Sequence, residues 1–334
     1  MRVWWIIGLS LRRANRHFHG GSKQVFDSPH QPVMLEQAME LLRPRSGGIY
    51  LDLTVGAGGH ARAILERSSP DGLLLGVDRD PLAIKTAGEA LAQFEGRFSL
   101  IHGAFADLDD HLRHAGIEKV DGLLADLGVS SMQLDRPDRG FSFQNSGPLD
   151  MRMDPESGSP LAVVLSETGE KELARALRMF ADIRDARKVA RRLLRAESEG
   201  ILTDTRSLAK AIGFSSRRGK IHPATRVFMA LRMLVNDELG QLDSLLHLLP
   251  EPLFPGGRAV FISFHSLEDR AVKRRFVELE GECRCPPGLP VCACGINPQM
   301  KRLSKKALRP TDEELVRNPR ARSARMRAAE RLAA

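Results

Sequence analysis

Apolar runs alternate with segments of helical spacing through residues 49–130, and this pattern predicts the secondary structure of the first half of the chain. Four runs predict strands: IYLDLTV, GLLLGVDRD, FSLIHGAF and VDGLLADLGVS. Helix-like segments follow the first three: GHARAILERS, PLAIKTAGEALAQF and DLDDHLRHAG. Strands that alternate with helices in this way predict a parallel α/β sheet with right-handed crossovers.

The alternation stops near residue 135. Residues 135–170 are rich in Gly, Pro, Ser and Asp and predict a loop, and an Arg-rich helical pattern follows to about residue 211. HPATRVFMALRMLVNDELGQLDSLLHLL then predicts one long amphipathic helix, and PGGRAVFISFHS predicts a glycine turn with a fifth strand. We therefore expect a discontinuous core, 27–134 and 215–334, interrupted by a loop plus helical insert, 135–214, that binds substrate. Residues 1–26 predict a poorly ordered leader, and residues 318–331 fit either a strand or a helix.

The glycine turn after the first strand, LDLTVGAGGH, predicts a nucleoside site. In open α/β sheets ligands bind beyond the carboxyl ends of the strands, where Gly58 and Gly59 would let a ligand approach the backbone. Asp78 ends the second strand, in the position where an acid binds adenosine ribose hydroxyls. Further acids at Asp52 and Asp126 favour a cationic ligand, S-adenosylmethionine, over a dinucleotide. The alternative is that these two acids are buried and only shape loops.

The segment after the fourth strand, ADLGVSSMQLD, carries candidate chemistry for methyl transfer to an exocyclic amine. A hydrogen-bond acceptor on the amine would help to localise its lone pair and could receive its proton, and Asp126 and Ser130 are candidates. His265, after the fifth strand, could bind the base or cofactor. The alternatives are that Ser130 caps a turn and that His265 caps the next helix.

The stretch RGFSFQNSGPLDMRMD combines aromatic residues and arginines with turn formers. Phe141 and Phe143 could stack on a base while Arg139 or Arg152 contacts phosphate. The two phenylalanines could equally anchor a long loop on the core.

Charge is distributed unevenly along the chain. The formal net charge is +8, yet residues 171–220 carry 14 basic and 6 acidic side chains and residues 299–334 carry 11 and 4. Basic blocks beside an acidic core favour a polyanionic partner such as a nucleic acid. No apolar segment is long enough to span a bilayer, so we expect a cytoplasmic protein without a membrane partner. Cys283, Cys285, Cys292 and Cys294 could bind zinc or form a reduced, metal-free loop.

Long motifs make the chain resemble the RsmH (MraW) family of bacterial methyltransferases. The motifs that carry the resemblance include HQPVML at 30–35, DLTVGAGGH at 52–60, GVDRDPLA at 76–83, DGLLADLGVSSMQLDRPDRGFSFQNSGPLDMRMD at 121–154, HPATRVFMALRMLVNDEL at 222–239, FISFHSLEDRAVK at 261–273 and NPRARSARMRAAER at 318–331. The resemblance implies a Rossmann-like class I S-adenosylmethionine-dependent methyltransferase core with an inserted helical domain. It also implies cofactor contacts at Gly58, Gly59, His60, Asp78, Phe105, Asp126 and Gln133.

The family resemblance implies methylation of N4 of a cytosine in the decoding centre of 16S rRNA, within the small ribosomal subunit. It leaves open the proton acceptor and whether the protein is a homodimer. Two competing hypotheses remain at this point: a nicotinamide-dependent oxidoreductase that uses the same glycine turn, and a ribosome-assembly factor that binds without catalysis.

Overall fold

A computed structural model describes residues 32–213, 223–281 and 297–333. The helices are α1 Leu35–Leu42, α2 Gly59–Arg67, α3 Pro81–Ala90, α4 Leu108–Ala115, α5 Ser131–Asp135, α6 Leu161–Glu167, α7 Glu170–Ala181, α8 Ala186–Ser198, α9 Thr205–Ile212, α10 Pro223–Asn236, α11 Glu238–Leu248, α12 Ser266–Glu280 and α13 Asp312–Arg317. The strands are β1 Ile49–Asp52, β2 Leu73–Asp78, β3 Phe98–His102, β4 Val120–Asp126, β5 Leu253–Ser263, β6 Met300–Arg302 and β7 Arg325–Arg331. Every helix in these ranges is too short or too polar to cross a lipid bilayer.

The seven strands form one sheet in the order β3-β2-β1-β4-β5-β7-β6. Strands β1 to β5 run parallel to one another, whereas β7 runs antiparallel to both β5 and β6. The chain order reverses between β1 and β4, and this reversal is where ligands bind in open α/β sheets. The predicted parallel α/β sheet is confirmed.

Both faces of the sheet are covered by apolar side chains. Successive residues of a strand point to opposite faces, so Tyr50 and Leu74 lie in one core cluster while Leu51 and Leu75 lie in the other. Burial on both sides explains why the strands read as nearly continuous apolar runs. Against these apolar runs, the aspartates at the carboxyl ends of β1, β2 and β4 are exceptions.

The chain forms two compact units. The core unit takes in the described residues up to Gly128 and from Gln241 onward, and the insert unit is Val129–Gly240. The expected insert was 135–214, whereas the insert unit also takes in α5, which contacts the 3₁₀ turn Pro137–Arg139, and α10, which packs with the insert helices. In particular, α10 contacts α7 and α6.

Three local differences from the predicted pattern have physical causes. The long helix expected across residues 222–248 is two helices, since Asp237 adopts a left-handed φ of 46° between α10 and α11. The expected loop at 135–170 contains the helix α6, which begins directly after Pro160. Residues 318–331, which fitted either a strand or a helix, form a 3₁₀ turn, Pro319–Ser323, followed by the strand β7. The leader 1–26 and the four cysteines lie outside the described residues.

Candidate active site

Three aspartates end neighbouring strands at one edge of the core sheet. Asp52 ends β1, Asp78 ends β2 and Asp126 ends β4. Parallel strands bring their carboxyl ends to the same edge, so these side chains gather at the reversal between β1 and β4. We call this group the acidic crevice.

The glycine turn between β1 and α2 is tied directly to Asp78. The Gly56 N–H donates to Asp78 Oδ2 at 2.8 Å. Gly58 has a φ of 86°, which favours glycine, and a Cβ on Gly59 would lie 2.5 Å from Cγ of Pro32. The backbone conformation at Gly58 and the close packing at Gly59 therefore both require glycine.

Asp52 and Asp126 each present a buried oxygen that has no hydrogen-bond partner among the described residues. Asp52 is 1% exposed and its other oxygen accepts from the Thr54 N–H at 3.2 Å. The Asp126 backbone N–H donates to Thr54 Oγ1 at 2.6 Å, which fixes the end of β4 against the start of the turn. Buried carboxylate oxygens without partners are costly unless a cation or a donor satisfies them.

Burial perturbs the acidity of all three aspartates. It raises the pKa of Asp52 to about 7 and that of Asp78 to about 6. Burial, and after it the charges of Asp52, Glu268 and Glu314, raises the pKa of Asp126 well above its ordinary value. Crowded acids of this kind are typical of functional sites and favour a positively charged ligand.

His60, on the first turn of α2, is a neutral member of the crevice. Burial lowers its pKa to about 4, so the ring carries no charge near pH 7. Its Nε2 donates to the Val33 carbonyl oxygen at 3.0 Å, because a carbonyl can only accept. Nδ1 is then left as an acceptor and lies 3.9 Å from Asp126 Oδ2.

The structure adds two carboxylates to the crevice that the sequence did not predict as members. Glu268 Oε2 accepts from the Phe264 and His265 N–H groups, both at 3.0 Å, and thereby fixes the turn after β5. Glu314, on α13, accepts from the Met34 N–H at 2.7 Å. The FHSLEDR motif could have indicated Glu268, whereas Glu314 lies far along the chain from the other acids and gave no sequence signal.

Several predicted site residues have structural roles in the fold. Phe105 is partly buried in the 3₁₀ turn Phe105–Asp107 that follows β3. Ser130 Oγ accepts from the Gln133 N–H in a capping box at the start of α5. His265 Nδ1 accepts from the Leu267 N–H at the start of α12. The alternative in which Ser130 and His265 act as caps thus has a direct structural basis.

The predicted substrate residues lie together in the insert unit and hold its long loop. The Arg139 guanidinium donates to the carbonyl oxygens of Arg152 and Met153 and stands over the Phe141 ring at 5.9 Å. Arg152 is paired with Asp150 at 2.7 Å. The Phe143 ring packs on Phe228, with centroids 5.0 Å apart. Phe143 therefore anchors the loop within the insert unit.

Comparisons with known proteins agree with this arrangement. The sequence profile of the MraW methylase family matches residues 27–332. "Ribosomal RNA small subunit methyltransferase H" of Syntrophotalea carbinolica is 49% identical over 315 residues, which cover 93% of this chain and 100% of that protein. The protein of the same name from Thermomicrobium roseum is 48% identical over 306 residues, 91% of this chain and 94% of that protein.

A solved structure, an SAM-dependent O-methyltransferase from Thermotoga maritima, aligns with 91% of this chain and 68% of that one. Its identity is 10% and its TM-score 0.39. A similarity at that level says nothing about a shared substrate.

Sheet order, acidic crevice and family profile together define a Rossmann-like class I methyltransferase that depends on S-adenosylmethionine. Within that class, the chain belongs to the MraW methylase family. The crevice fits this cofactor: its ammonium and sulfonium groups are cations, and the unpaired oxygens of Asp52 and Asp126 are suited to receive positive charge.

Proposed function

We propose that this protein methylates N4 of a cytosine in the decoding centre of 16S rRNA. The observation that carries the proposal is the acidic crevice, in which Asp126 ends β4 with a buried oxygen lacking a protein partner. Full-length relatives named for small-subunit rRNA methylation support the choice of substrate. The particular base and position follow from the family resemblance of the motifs through Asp126.

The cofactor contacts are assigned by motif to Gly58, Gly59, His60, Asp78, Phe105, Asp126 and Gln133. When bound, S-adenosylmethionine supplies an electrophilic methyl group on a positively charged sulfur. Asp78 is suited to accept from ribose hydroxyls, since carboxylates are hydrogen-bond acceptors. Gly58 and Gly59 hold the backbone turn beside which the ligand would bind.

Asp126 is our candidate for the group that handles the amine. The lone pair of a cytosine amine is delocalised into the ring, so an acceptor on its N–H makes the nitrogen a better nucleophile. Asp126 would accept that hydrogen bond and then the proton that N4 releases on methylation. Its raised pKa makes the ionised form a strong acceptor. A cation bound beside it would favour that ionised form.

We assign the insert unit to RNA binding, on the basis of its basic helices. Helix α8 is an example, with four arginines and one lysine among its 13 residues. Within this unit we assign Arg139, Phe141, Phe143 and Arg152 to RNA binding. The target base must leave its stack to reach the methyl group. Charge-dependent binding of this kind should weaken steeply with salt.

The direct test uses small ribosomal subunits that lack the modification. Tritium transfer from labelled cofactor is measured, and the product is mapped by mass spectrometry of nuclease fragments. We expect one labelled cytosine carrying the methyl group on N4. Label in protein, at another base, or in no RNA would overturn the proposal. Isolated 16S rRNA as a parallel substrate shows whether the assembled subunit is required.

Asp126→Asn tests the role of the carboxylate. We expect kcat to fall by at least about 100-fold, which is the range for loss of a general base. The melting temperature should not decrease, because the amide removes a buried, unpaired charge. Single-turnover assays and thermal melting give the two quantities.

Asp121→Asn is the matched control, at the opposite end of β4. Asp121 pairs with Arg45 at 2.7 Å and accepts from the Ile49 N–H at 2.9 Å, so its change should lower stability and leave kcat near the wild-type value. Equal losses of kcat in the two variants would remove Asp126 from the reaction.

A further inference from the structure

We propose that the core unit carries a separate phosphate site that binds the RNA backbone beside the target nucleotide. This inference rests on the proposed function. The site is a cavity of about 340 Å³ between α12, β7 and the segment that links β6 to α13. We call it the basic pocket. Its cationic lining residues are Lys273, Lys305, Lys306, Arg309, Arg325 and Arg327.

The basic pocket has a large excess of positive charge. Asp269 is the one acidic lining residue against six cations. Lys273, Lys306 and Arg309 are exposed and form no ion pair with any described residue. Cations gathered without neutralising acids repel one another, and binding a phosphate relieves that repulsion.

Asp269 fixes the two arginines that form the inner wall. Asp269 Oδ1 accepts from Arg327 Nε at 2.6 Å, and Oδ2 accepts from Arg325 Nη1 at 3.0 Å. Burial acts to raise the pKa of Asp269, but hydrogen bonds from Arg327 and Arg325 outweigh it and leave the pKa below its ordinary value. The Asp269 carboxylate is therefore ionised, and its oxygens are already paired with Arg325 and Arg327.

Arg325 has hydrogen-bond donors that no described residue uses. Its hydrogen bond to Asp269 uses Nη1, and no described residue accepts from its Nε or Nη2. A guanidinium with a second free edge suits a phosphate, which it can bind through two parallel hydrogen bonds. The exposed lysines would attract the phosphate through their charge without requiring one hydrogen-bond geometry.

The basic pocket lies at the same sheet edge as the acidic crevice. Arg325 is paired with Ser263, the last residue of β5, and Asp126 is paired with Ile262 on the other side of that strand. Two strand spacings separate the ends of β4 and β7, or about 10 Å. The two side chains point to opposite faces of the sheet. Asp126 follows Ala125 of one core cluster, and Arg325 precedes Met326 of the other. We therefore assign the basic pocket to a backbone phosphate of RNA that passes around this sheet edge from the crevice.

Charge reversal at the exposed rim tests the inference. For each of the single variants Lys306→Glu and Arg309→Glu we expect RNA binding to be about tenfold weaker than in the wild type. The slope of log K against log salt concentration should decrease in magnitude by about one. The Michaelis constant for RNA should rise far more than kcat falls. Cofactor affinity, measured by calorimetry, should not change. Lys85→Glu is the control, since Lys85 is an exposed cation on α3 outside the pocket.

RNA oligomers with one neutral methylphosphonate linkage locate the contact. With the wild-type protein, the neutral linkage should weaken binding most at one position near the target cytosine. With the Lys306→Glu variant, the neutral linkage at that position should weaken RNA binding little further, because the protein change and the RNA change remove the same interaction.

Two failures can be told apart. If the wild-type protein methylates RNA but Lys306→Glu and Arg309→Glu behave like Lys85→Glu, the phosphate site is wrong while the proposed function stands. If the wild-type protein transfers no methyl group to RNA, the proposed function fails first. Additive effects of the neutral linkage and Lys306→Glu would also overturn the site.

Discussion

At the scale of single residues, the sequence predicted the acids that end strands and missed those that arrive from elsewhere. Asp52, Asp78 and Asp126 each follow an apolar run, so their place at the sheet edge could be read from the pattern. Glu314 meets the crevice only because α13 packs beside Met34, and no local pattern encodes that contact. The sequence also could not decide whether Ser130 and His265 act as caps, since both readings suit the same residue types.

Asp52 makes the stability of the protein depend on pH in an unusual direction. Its pKa is about 7 in the folded state and 3.8 as a reference, so the folded state holds a proton that the unfolded state releases between these values. The free energy of unfolding therefore decreases as pH rises from about 4 to about 7. The contribution from Asp52 is on the order of 4 kcal/mol.

We expect Asp52→Asn to reduce this pH dependence, because asparagine does not titrate. Urea unfolding at pH 5 and pH 7.5, without cofactor, gives the free energy for both proteins. The difference between the two pH values should be smaller in the variant, by up to about 4 kcal/mol. An identical pH dependence in both proteins would contradict the burial of an ionisable carboxyl at this position.

At the scale of elements, strands β1 to β5 and helices α2 to α4 were predictable because their patterns are local. The short strand β6 had no such pattern, and residues 318–331 fitted either a strand or a helix. The break between α10 and α11 was not, since no glycine or proline marks it. Asp237 is held in a left-handed conformation while Arg232 and Glu238 form an ion pair across the break, with Nε and Oε1 2.6 Å apart. A tertiary contact of this kind overrides a continuous amphipathic pattern.

Asn236, the last residue of α10, holds the long loop of the insert unit. Its Oδ1 accepts from the Met153 N–H and its Nδ2 donates to the Met151 carbonyl oxygen, both at 2.7 Å and buried. Met151 has a φ of 60°, so the loop is held in a conformation that it would not adopt alone. Asn236→Ala leaves both backbone groups without these partners.

We expect Asn236→Ala to destabilise the protein by about 2–4 kcal/mol, or roughly 1–2 for each buried group left unpaired. Thermal unfolding measures the total effect, and hydrogen exchange by mass spectrometry should show faster exchange in residues 150–154. Ser166→Ala is a control, since the Ser166 hydroxyl donates to a carbonyl at an exposed position on α6. Unchanged exchange in 150–154 would mean that Asn236 does not hold the loop.

At the scale of the whole molecule, the core unit is built from two separated parts of the chain. Strands β1 to β4 precede the insert unit, and β5 to β7 follow it. The sequence predicted this discontinuity because the strand–helix alternation stops and then resumes. The exact boundaries were not predictable, since the apolar pattern of α5 or α10 does not show whether the helix belongs to the core unit or to the insert unit.

The discontinuous sheet predicts that the first half cannot fold alone. Strand β5 is buried in the sheet between β4 and β7, and its residues Val260 and Phe261 pack into the clusters on opposite faces. Without β5, strand β4 becomes an open edge with apolar side chains on both faces, which favours aggregation.

A chain ending at residue 240 should therefore show neither cooperative unfolding nor binding of S-adenosylmethionine. Co-expression with residues 241–334 should restore both, because the missing strands can then pair with β4. Circular dichroism and calorimetry measure the two properties, and tight cofactor binding by the shorter chain alone would show that β1 to β4 form an independent unit.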